Sequence, residues 1–133
     1  MTPLPPDWAT LQQPAPRNHG RPAIDALRPG QPLREVVGDF LADAAIERAE
    51  VGERTYGSKL TPNNGRDNLV DGLQEDADGT TYYTAGYYEA PESSRERYLI
   101  RRALSMRSEA AEFIQLAAIE RAKRLRAKGE VKS

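Results

Sequence analysis

Proline is the residue whose placement most restricts how this chain can fold. Eight of the ten prolines lie within residues 1–32, and the other two are Pro62 and Pro91. Because proline fixes φ and has no backbone N–H to donate, this density excludes a helix or a central strand and favours an extended, polyproline-like leader. The sequence therefore predicts two parts, a leader of residues 1–32 and a helical domain of residues 33–133.

The leader carries a few large apolar side chains, among them Trp8 and Leu11. With them it could pack onto the helical domain as a strap. The alternative is a flexible leader, because a segment so poor in apolar residues has little surface to bury.

The pattern changes after Pro32, where apolar residues begin to recur at steps of three and four. This period predicts an amphipathic helix that ends near Thr55. Its stripe consists of Leu33, Val37, Phe40, Leu41, Ala44, Arg48 and Val51. The turn residues Pro62 and Asn64-Gly65 then predict a loop.

A second helix should begin near Arg66 or Asp67, with Asp67 as the N-cap or a first-turn acid. Two alternatives remain open for residues 80–88. Their β-branched and aromatic side chains favour a short strand, whereas a continuing helix would place Tyr83 and Tyr87 on its buried face. We favour the helix.

The clearest helical pattern spans residues 94 to about 128, behind Pro91 and a capping Ser93 or Ser94. Its apolar residues alternate steps of four and three, as in a coiled-coil seam. They are Leu99, Ala103, Met106, Ala110, Phe113 and Ala117, widened by Ile100, Leu104, Ile114 and Leu116. Such a helix is about 50 Å long, more than a domain of this size can bury. We therefore expect an all-α homo-oligomer with short acidic helices in a bundle and one long C-terminal helix.

Composition limits the chemistry that is available to this chain. It contains no cysteine and one histidine, His19, which lies in the leader. A disulfide framework, a thiolate metal site and a histidine-based zinc site are therefore not expected, and oxygen ligands would favour Mg²⁺ or Mn²⁺. Neither a basic and apolar N-terminal signal nor an apolar stretch of membrane-spanning length is present in the sequence. We expect a soluble cytoplasmic protein with no membrane partner.

Charge is divided unevenly along the chain. Residues 35–92 hold 13 acidic and 4 basic residues, whereas residues 93–133 hold 5 acidic and 11 basic ones. The acidic region contains two pairs at helical spacing, and they are Glu50/Glu53 and Glu75/Asp78. If the two helices pack antiparallel, four carboxylates would converge on a site for Mg²⁺, which could clamp a polyphosphate and activate a water molecule.

The ExxE motif at residues 50–53, followed by the ExxD motif at residues 75–78, resembles the motif of the all-α nucleoside-triphosphate pyrophosphatase superfamily, the MazG-like proteins. The run ERTYGSKLTPNNGRDNLVDGLQEDAD is also similar to small phage-encoded members, and the likeness covers about residues 41–78. It implies a helical oligomer that cleaves a nucleoside triphosphate to the monophosphate and pyrophosphate with Mg²⁺, in the host cytoplasm if phage-encoded. It further implies that Glu50, Glu53, Glu75 and Asp78 are metal ligands. Glu53, which would orient the attacking water, and Glu75 are the implied catalytic residues.

A second hypothesis belongs to another functional class. The chain would then be a helical interaction or regulatory protein that oligomerises through residues 94–128 and contacts nucleic acid or a host protein with its basic end. The two hypotheses differ in a simple property. An enzyme of this kind should bind Mg²⁺ through its acidic residues, whereas an interaction protein should be indifferent to it.

Overall fold

The computed structural model describes residues 4–129, and all the regular structure in that range is helical. A short 3₁₀ helix, Ala23–Leu27, precedes four α-helices, which are α1 (Pro32–Val37), α2 (Asp39–Tyr56), α3 (Asn68–Glu89) and α4 (Arg95–Ala127). The predicted all-α class with a long C-terminal helix is confirmed. Residues 1–3 and 130–133, at the ends of the predicted leader and of the basic tail, lie outside the described residues. No described helix combines the length and the apolar character needed to cross a membrane.

The described chain forms two compact units. One consists of residues 13–66, with the 3₁₀ helix, α1 and α2. The other consists of residues 4–12 together with residues 67–129, with α3 and α4. The predicted leader is thus shared between the units, since its residues 4–12 belong to one and its residues 13–32 to the other.

In the first unit, the helix predicted from Leu33 to about Thr55 is interrupted at Gly38, so the prediction of a single helix was wrong. Gly38 has φ of 88°, a conformation that side chains with a Cβ rarely adopt. Its N–H closes α1 on the carbonyl of Arg34 at 2.8 Å. The Arg34 guanidinium braces the corner, donating to Asp39 at 2.9 Å and to Asp43 at 2.6 Å.

The face of α2 that is buried also differs from the predicted stripe. A break resets the helical phase, so residues before and after Gly38 no longer share one stripe. Ala42 is fully buried, whereas Phe40 is 91% exposed and Val36 is 80% exposed. The predicted apolar stripe is therefore wrong for α2, because all its members on this helix are exposed, namely Phe40, Leu41, Ala44, Arg48 and Val51.

In the second unit, α3 and α4 form an antiparallel hairpin. Asp67 at the start of α3 contacts Arg121 near the end of α4, and Tyr87 near the end of α3 contacts Arg97 at the start of α4. The predicted cap of α4 is confirmed, because the Ser94 hydroxyl accepts the N–H of Arg97 at 3.1 Å.

Helix α3 continues through residues 80–88, so the helical alternative for this segment is confirmed. The expected burial was wrong for Tyr83, which is 47% exposed, whereas Tyr87 is half-buried. The hydroxyls of Thr80 and Thr84 donate to the carbonyls of Asp76 and Thr80, at 2.7 and 2.8 Å. Such a bond satisfies the hydroxyl of a β-branched residue while its backbone stays helical.

The hairpin core is small, and an N-terminal strap adds to it. Val70 and Leu73 of α3 are buried, as are Ala118 and Ala122 of α4. The side-chain amide of Gln74 donates to the carbonyls of Trp8 and Leu11, at 2.8 and 2.9 Å. Residues 4–12 are thus held on α3 through their backbone carbonyls.

Candidate functional site

The Asn-Gly turn at residues 64–65 does more than reverse the chain. Asn64 is fully buried and its Nδ2 donates to Oδ1 of Asn18 at 3.2 Å. Its carbonyl accepts the N–H of Arg17 at 2.7 Å, and its Oδ1 accepts the N–H of Arg66 at 3.1 Å. Asn64 therefore fastens the extended chain around Asn18 to the loop. The sequence indicated only a turn, because an asparagine in such a turn is equally common at the surface.

Asp67 begins α3, as predicted, and also makes the strongest ion pair of the hairpin. Its Oδ1 accepts the N–H groups of Leu69 and Val70, at 3.1 and 3.2 Å. The Arg121 guanidinium donates to both carboxylate oxygens, at 2.7 and 2.8 Å. Burial raises the pKa of Asp67, but the bonds from Arg121 and from the helix N-terminus outweigh it, so the pKa lies below its ordinary value. Asp67 is thus committed to structure.

The second predicted acid pair, Glu75 and Asp78, lies one helical turn apart on α3. Both residues are exposed, and neither has a salt bridge among the residues that the structure describes. Asp76, between them in sequence, points the other way, and its Oδ1 lies 3.4 Å from Nη2 of Arg107. The structure therefore separates two solvent-facing carboxylates from a third that helps to hold the hairpin.

The first predicted pair, Glu50 and Glu53, lies on α2 in the unit of residues 13–66. Both residues are exposed. The carboxylate of Glu53 lies 3.4 Å from Nζ of Lys59, in the loop that follows the helix. Each predicted pair is therefore together on one helical turn, and the two pairs belong to different units.

Within residues 4–129, no group of three or more Asp, Glu or His side chains is arranged to hold a metal ion. Each pair offers two carboxylates instead. That number suits Mg²⁺, which commonly takes one or two carboxylates from a protein and completes its octahedron with water and substrate phosphates. The convergence of all four carboxylates stays a prediction.

A cavity of about 490 Å³ opens beside Lys59 in the same unit. Its lining is mostly apolar, with an aromatic ring and three polar side chains, from Ala15, Pro16, Asn18, Ala49, Gly52, Tyr56, Ser58, Lys59 and Leu60. This volume lies within the range of small-molecule sites. The sequence analysis missed it. The sequence does contain one indication of the cavity. Ala49 is followed one turn later by Gly52, and these two small residues lie on one side of α2.

Arg107 was also missed by the sequence analysis, although it organises the middle of the hairpin. It donates to the carbonyl of Asp76 at 2.9 Å, and its guanidinium lies 5.1 Å from the ring centre of Tyr83. It can approach so closely because residue 79 is glycine, where a Cβ would collide with the guanidinium. Gly79 therefore has a packing role within the helix.

Comparisons of this chain with protein-family models, with curated proteins and with solved structures find no match.

Proposed function

We propose that this protein is a Mg²⁺- or Mn²⁺-dependent nucleoside-triphosphate pyrophosphohydrolase of the MazG-like kind. The main support is the pair Glu75 and Asp78 on α3, which lie one turn apart, exposed and without a salt bridge among the described residues. Neighbouring carboxylates repel each other, and a bound cation relieves that repulsion. The same two residues complete the motif that resembles this superfamily.

The reaction would be the attack of water on the α-phosphorus of the triphosphate. The bond between the α-phosphorus and the bridging oxygen breaks, which gives the monophosphate and pyrophosphate. Mg²⁺ would supply Lewis acidity and a clamp for the phosphates when bound. Glu75 and Asp78 would hold it through their oxygens. The motif resemblance further implies Glu50 and Glu53 as metal ligands, with Glu53 also orienting the attacking water.

The cavity beside Lys59 supports a nucleotide as the substrate class. Tyr56 offers an aromatic face to a base, and Asn18 and Ser58 offer hydrogen bonds to a base or sugar. The ammonium of Lys59 offers a positive charge to a phosphate group. Within this unit Lys59 contacts Glu53, so the cavity and the first acid pair adjoin.

The experiment that tests the proposal is pyrophosphate release from a panel of ribonucleoside and deoxyribonucleoside triphosphates with Mg²⁺ or Mn²⁺. We expect turnover of at least one nucleotide, and its loss in Glu75→Gln and in Asp78→Asn. Asp76→Asn is the matched control, because the carboxylate of Asp76 contacts Arg107 and belongs to neither predicted acid pair. Absence of release from every nucleotide by folded protein would refute the proposal.

Metal binding can be measured separately from turnover. A metal that binds only the folded chain raises its melting temperature by mass action. We expect Mg²⁺ to raise the melting temperature of the native chain and of Asp76→Asn, but not of the double variant Glu75→Gln/Asp78→Asn. An equal rise in all three would place the metal elsewhere.

A second candidate function, a helical interaction or regulatory protein, is favoured by the basic end of α4. Exposed cations cluster there, namely Lys123, Arg124, Arg126 and Lys128. Such a cluster would bind nucleic acid or an acidic host protein with strong salt dependence. This candidate predicts no Mg²⁺-dependent rise in melting temperature and no pyrophosphate release. Either function would be exercised in the cytoplasm, in a host cell if the protein is phage-encoded.

A further inference from the structure

The apolar residues of α4 form two faces, where the sequence suggested one broad seam. The first face packs on α3 and consists of Ile100, Leu104, Ala111, Ile114, Ala118, Ala122 and Leu125, all of them buried or half-buried. The second face, which we call the outer seam, consists of Leu99, Ala103, Met106, Ala110, Phe113 and Ala117, all of them exposed. Helical geometry places the two faces roughly 100° apart around the axis.

The outer seam exposes large apolar side chains in a continuous row. Leu99 is 48% exposed, Met106 is 60% exposed and Phe113 is 71% exposed. A row of this kind on a soluble chain commonly marks an interaction surface. Its steps of four and three residues are those of a helix that packs against another helix.

We propose that the outer seam docks with the outer seam of a second copy of the chain, with the two α4 helices antiparallel. Large and small residues alternate along the seam, since Leu99, Met106 and Phe113 are separated by alanines. In the antiparallel register that pairs Leu99 with Ala117 of the second copy, every layer contains one large and one small side chain. Met106 then meets Ala110 and Phe113 meets Ala103.

The parallel arrangement fits this sequence poorly. It would place Phe113 against Phe113 and Met106 against Met106, in layers separated by pairs of alanines. Such layers are alternately crowded and empty, whereas helix interfaces are packed as densely as protein interiors. The alternation of sizes therefore selects the antiparallel orientation.

The same antiparallel register also determines which residues beside the outer seam would meet. Arg102 would lie across from Leu116 of the second copy, whose exposed side chain the aliphatic part of arginine can cover. Glu109 would lie near Glu109 of the second copy, close to the two-fold axis. Like charges at such flanking positions weaken a coiled-coil pair, so this contact makes the register testable.

The contact approaches the size of a specific dimer interface. From Leu99 to Ala117 the seam is about 27 Å long. Its three large side chains expose about 400 Å² on each copy, estimated from their exposed fractions. Two copies would thus bury about 800 Å² from these side chains alone, and the alanines and flanking stems bring the total towards the 1,200 Å² or so of a stable interface.

Sedimentation equilibrium of the full chain tests the dimer. We expect a dimer at micromolar concentration, and a monomer for Phe113→Asp with unchanged helix content by circular dichroism. Ser105→Asp is the matched control, because Ser105 is exposed on α4 away from both apolar faces. A monomeric native chain, or a dimer that Phe113→Asp leaves intact, would overturn the proposal.

Disulfide crosslinking tests the orientation, since the chain has no cysteine of its own. We expect Leu99→Cys and Ala117→Cys chains to crosslink with each other when mixed and not with themselves. Self-crosslinking of either variant would overturn the antiparallel register. Independently, Glu109→Gln should tighten the dimer several-fold, and an unchanged or weaker dimer in that variant would contradict the register.

Neither experiment depends on catalysis. Loss of the dimer proposal would leave the proposed hydrolase untouched, and a catalytically silent protein would still dimerise. The two proposals therefore fail separately.

Discussion

Asp67 provides the sharpest test of how this chain is held together. Its carboxylate caps α3 through the N–H groups of Leu69 and Val70 and pairs with both outer nitrogens of Arg121. Two substitutions separate these roles. Asp67→Asn keeps a good N-cap and removes the charge, whereas Asp67→Ala removes both.

The expected magnitudes follow from the exposure of the pair, which is 26% for each side chain. Exposed pairs contribute up to about 1 kcal/mol, and breaking a buried pair costs about 3–5 kcal/mol. This pair is neither exposed nor fully buried, so we expect Asp67→Asn to lower the free energy of unfolding by about 1.5 kcal/mol. Loss of the N-cap costs about 1 kcal/mol more. Asp67→Ala should therefore lower the free energy of unfolding by about 2.5 kcal/mol and the melting temperature by about 10 °C.

The pH dependence has a definite sign. The pKa of Asp67 is lower in the folded chain than in the unfolded one, so its contribution to stability is complete above the unfolded value of about 3.9. It is lost as the pH falls through the lower folded value. The free energy of unfolding of Asp67→Asn should therefore depend less on pH below about 4 than that of the native chain.

The assay is urea unfolding followed by circular dichroism, with Arg121→Met added to form a double-mutant cycle. We expect a coupling free energy of about 1.5 kcal/mol between residues 67 and 121. A coupling near zero would refute the reasoning, because the ion pair would then contribute nothing beyond the cap. Equal losses in Asp67→Asn and Asp67→Ala would refute the separate role of the cap.

Two further predictions concern α3. Gly72→Ala should stabilise the chain by about 1 kcal/mol through helix propensity, since a Cβ there meets nothing. Gly79→Ala should stabilise the chain by less than that, or destabilise it, because its Cβ displaces Arg107. Urea unfolding of both variants checks this, and equal gains would contradict the role assigned to Gly79. Gln74→Ala should release the strap, and the emission of Trp8, the one tryptophan in the chain, should shift to the red and become easier to quench. Unchanged emission would show that the strap is held by other contacts.

The ends of α3 and α4 could be predicted from the sequence because their signals are local. Asp67 and Ser94 each bond to N–H groups within the next three residues, so the cap is complete within one turn. The break at Gly38 could not be predicted in the same way. A glycine inside an apolar period is compatible with an unbroken helix, and the corner depends on bonds from Arg34 to residues up to nine positions away.

The candidate site was predictable only in part, for a related reason. Helical spacing places Glu75 beside Asp78, and Glu50 beside Glu53, whatever the rest of the chain does. Whether one pair approaches the other depends on how whole helices pack, and spacing contains no information about that. The burial of Asn64 and the approach of Arg107 to α3 likewise depend on residues that are distant in sequence.

The composition of the core connects stability with the proposed dimer. The buried apolar residues among those described are mostly alanines, with Val70 and Leu73 as the larger ones, while Phe113 and Met106 remain exposed. Alanine burial contributes little, since the hydrophobic effect scales with the area removed from water. A second copy on the outer seam would bury the larger side chains, and folding would then be linked to association. The melting temperature of the native chain should rise with protein concentration, and that of Phe113→Asp should not.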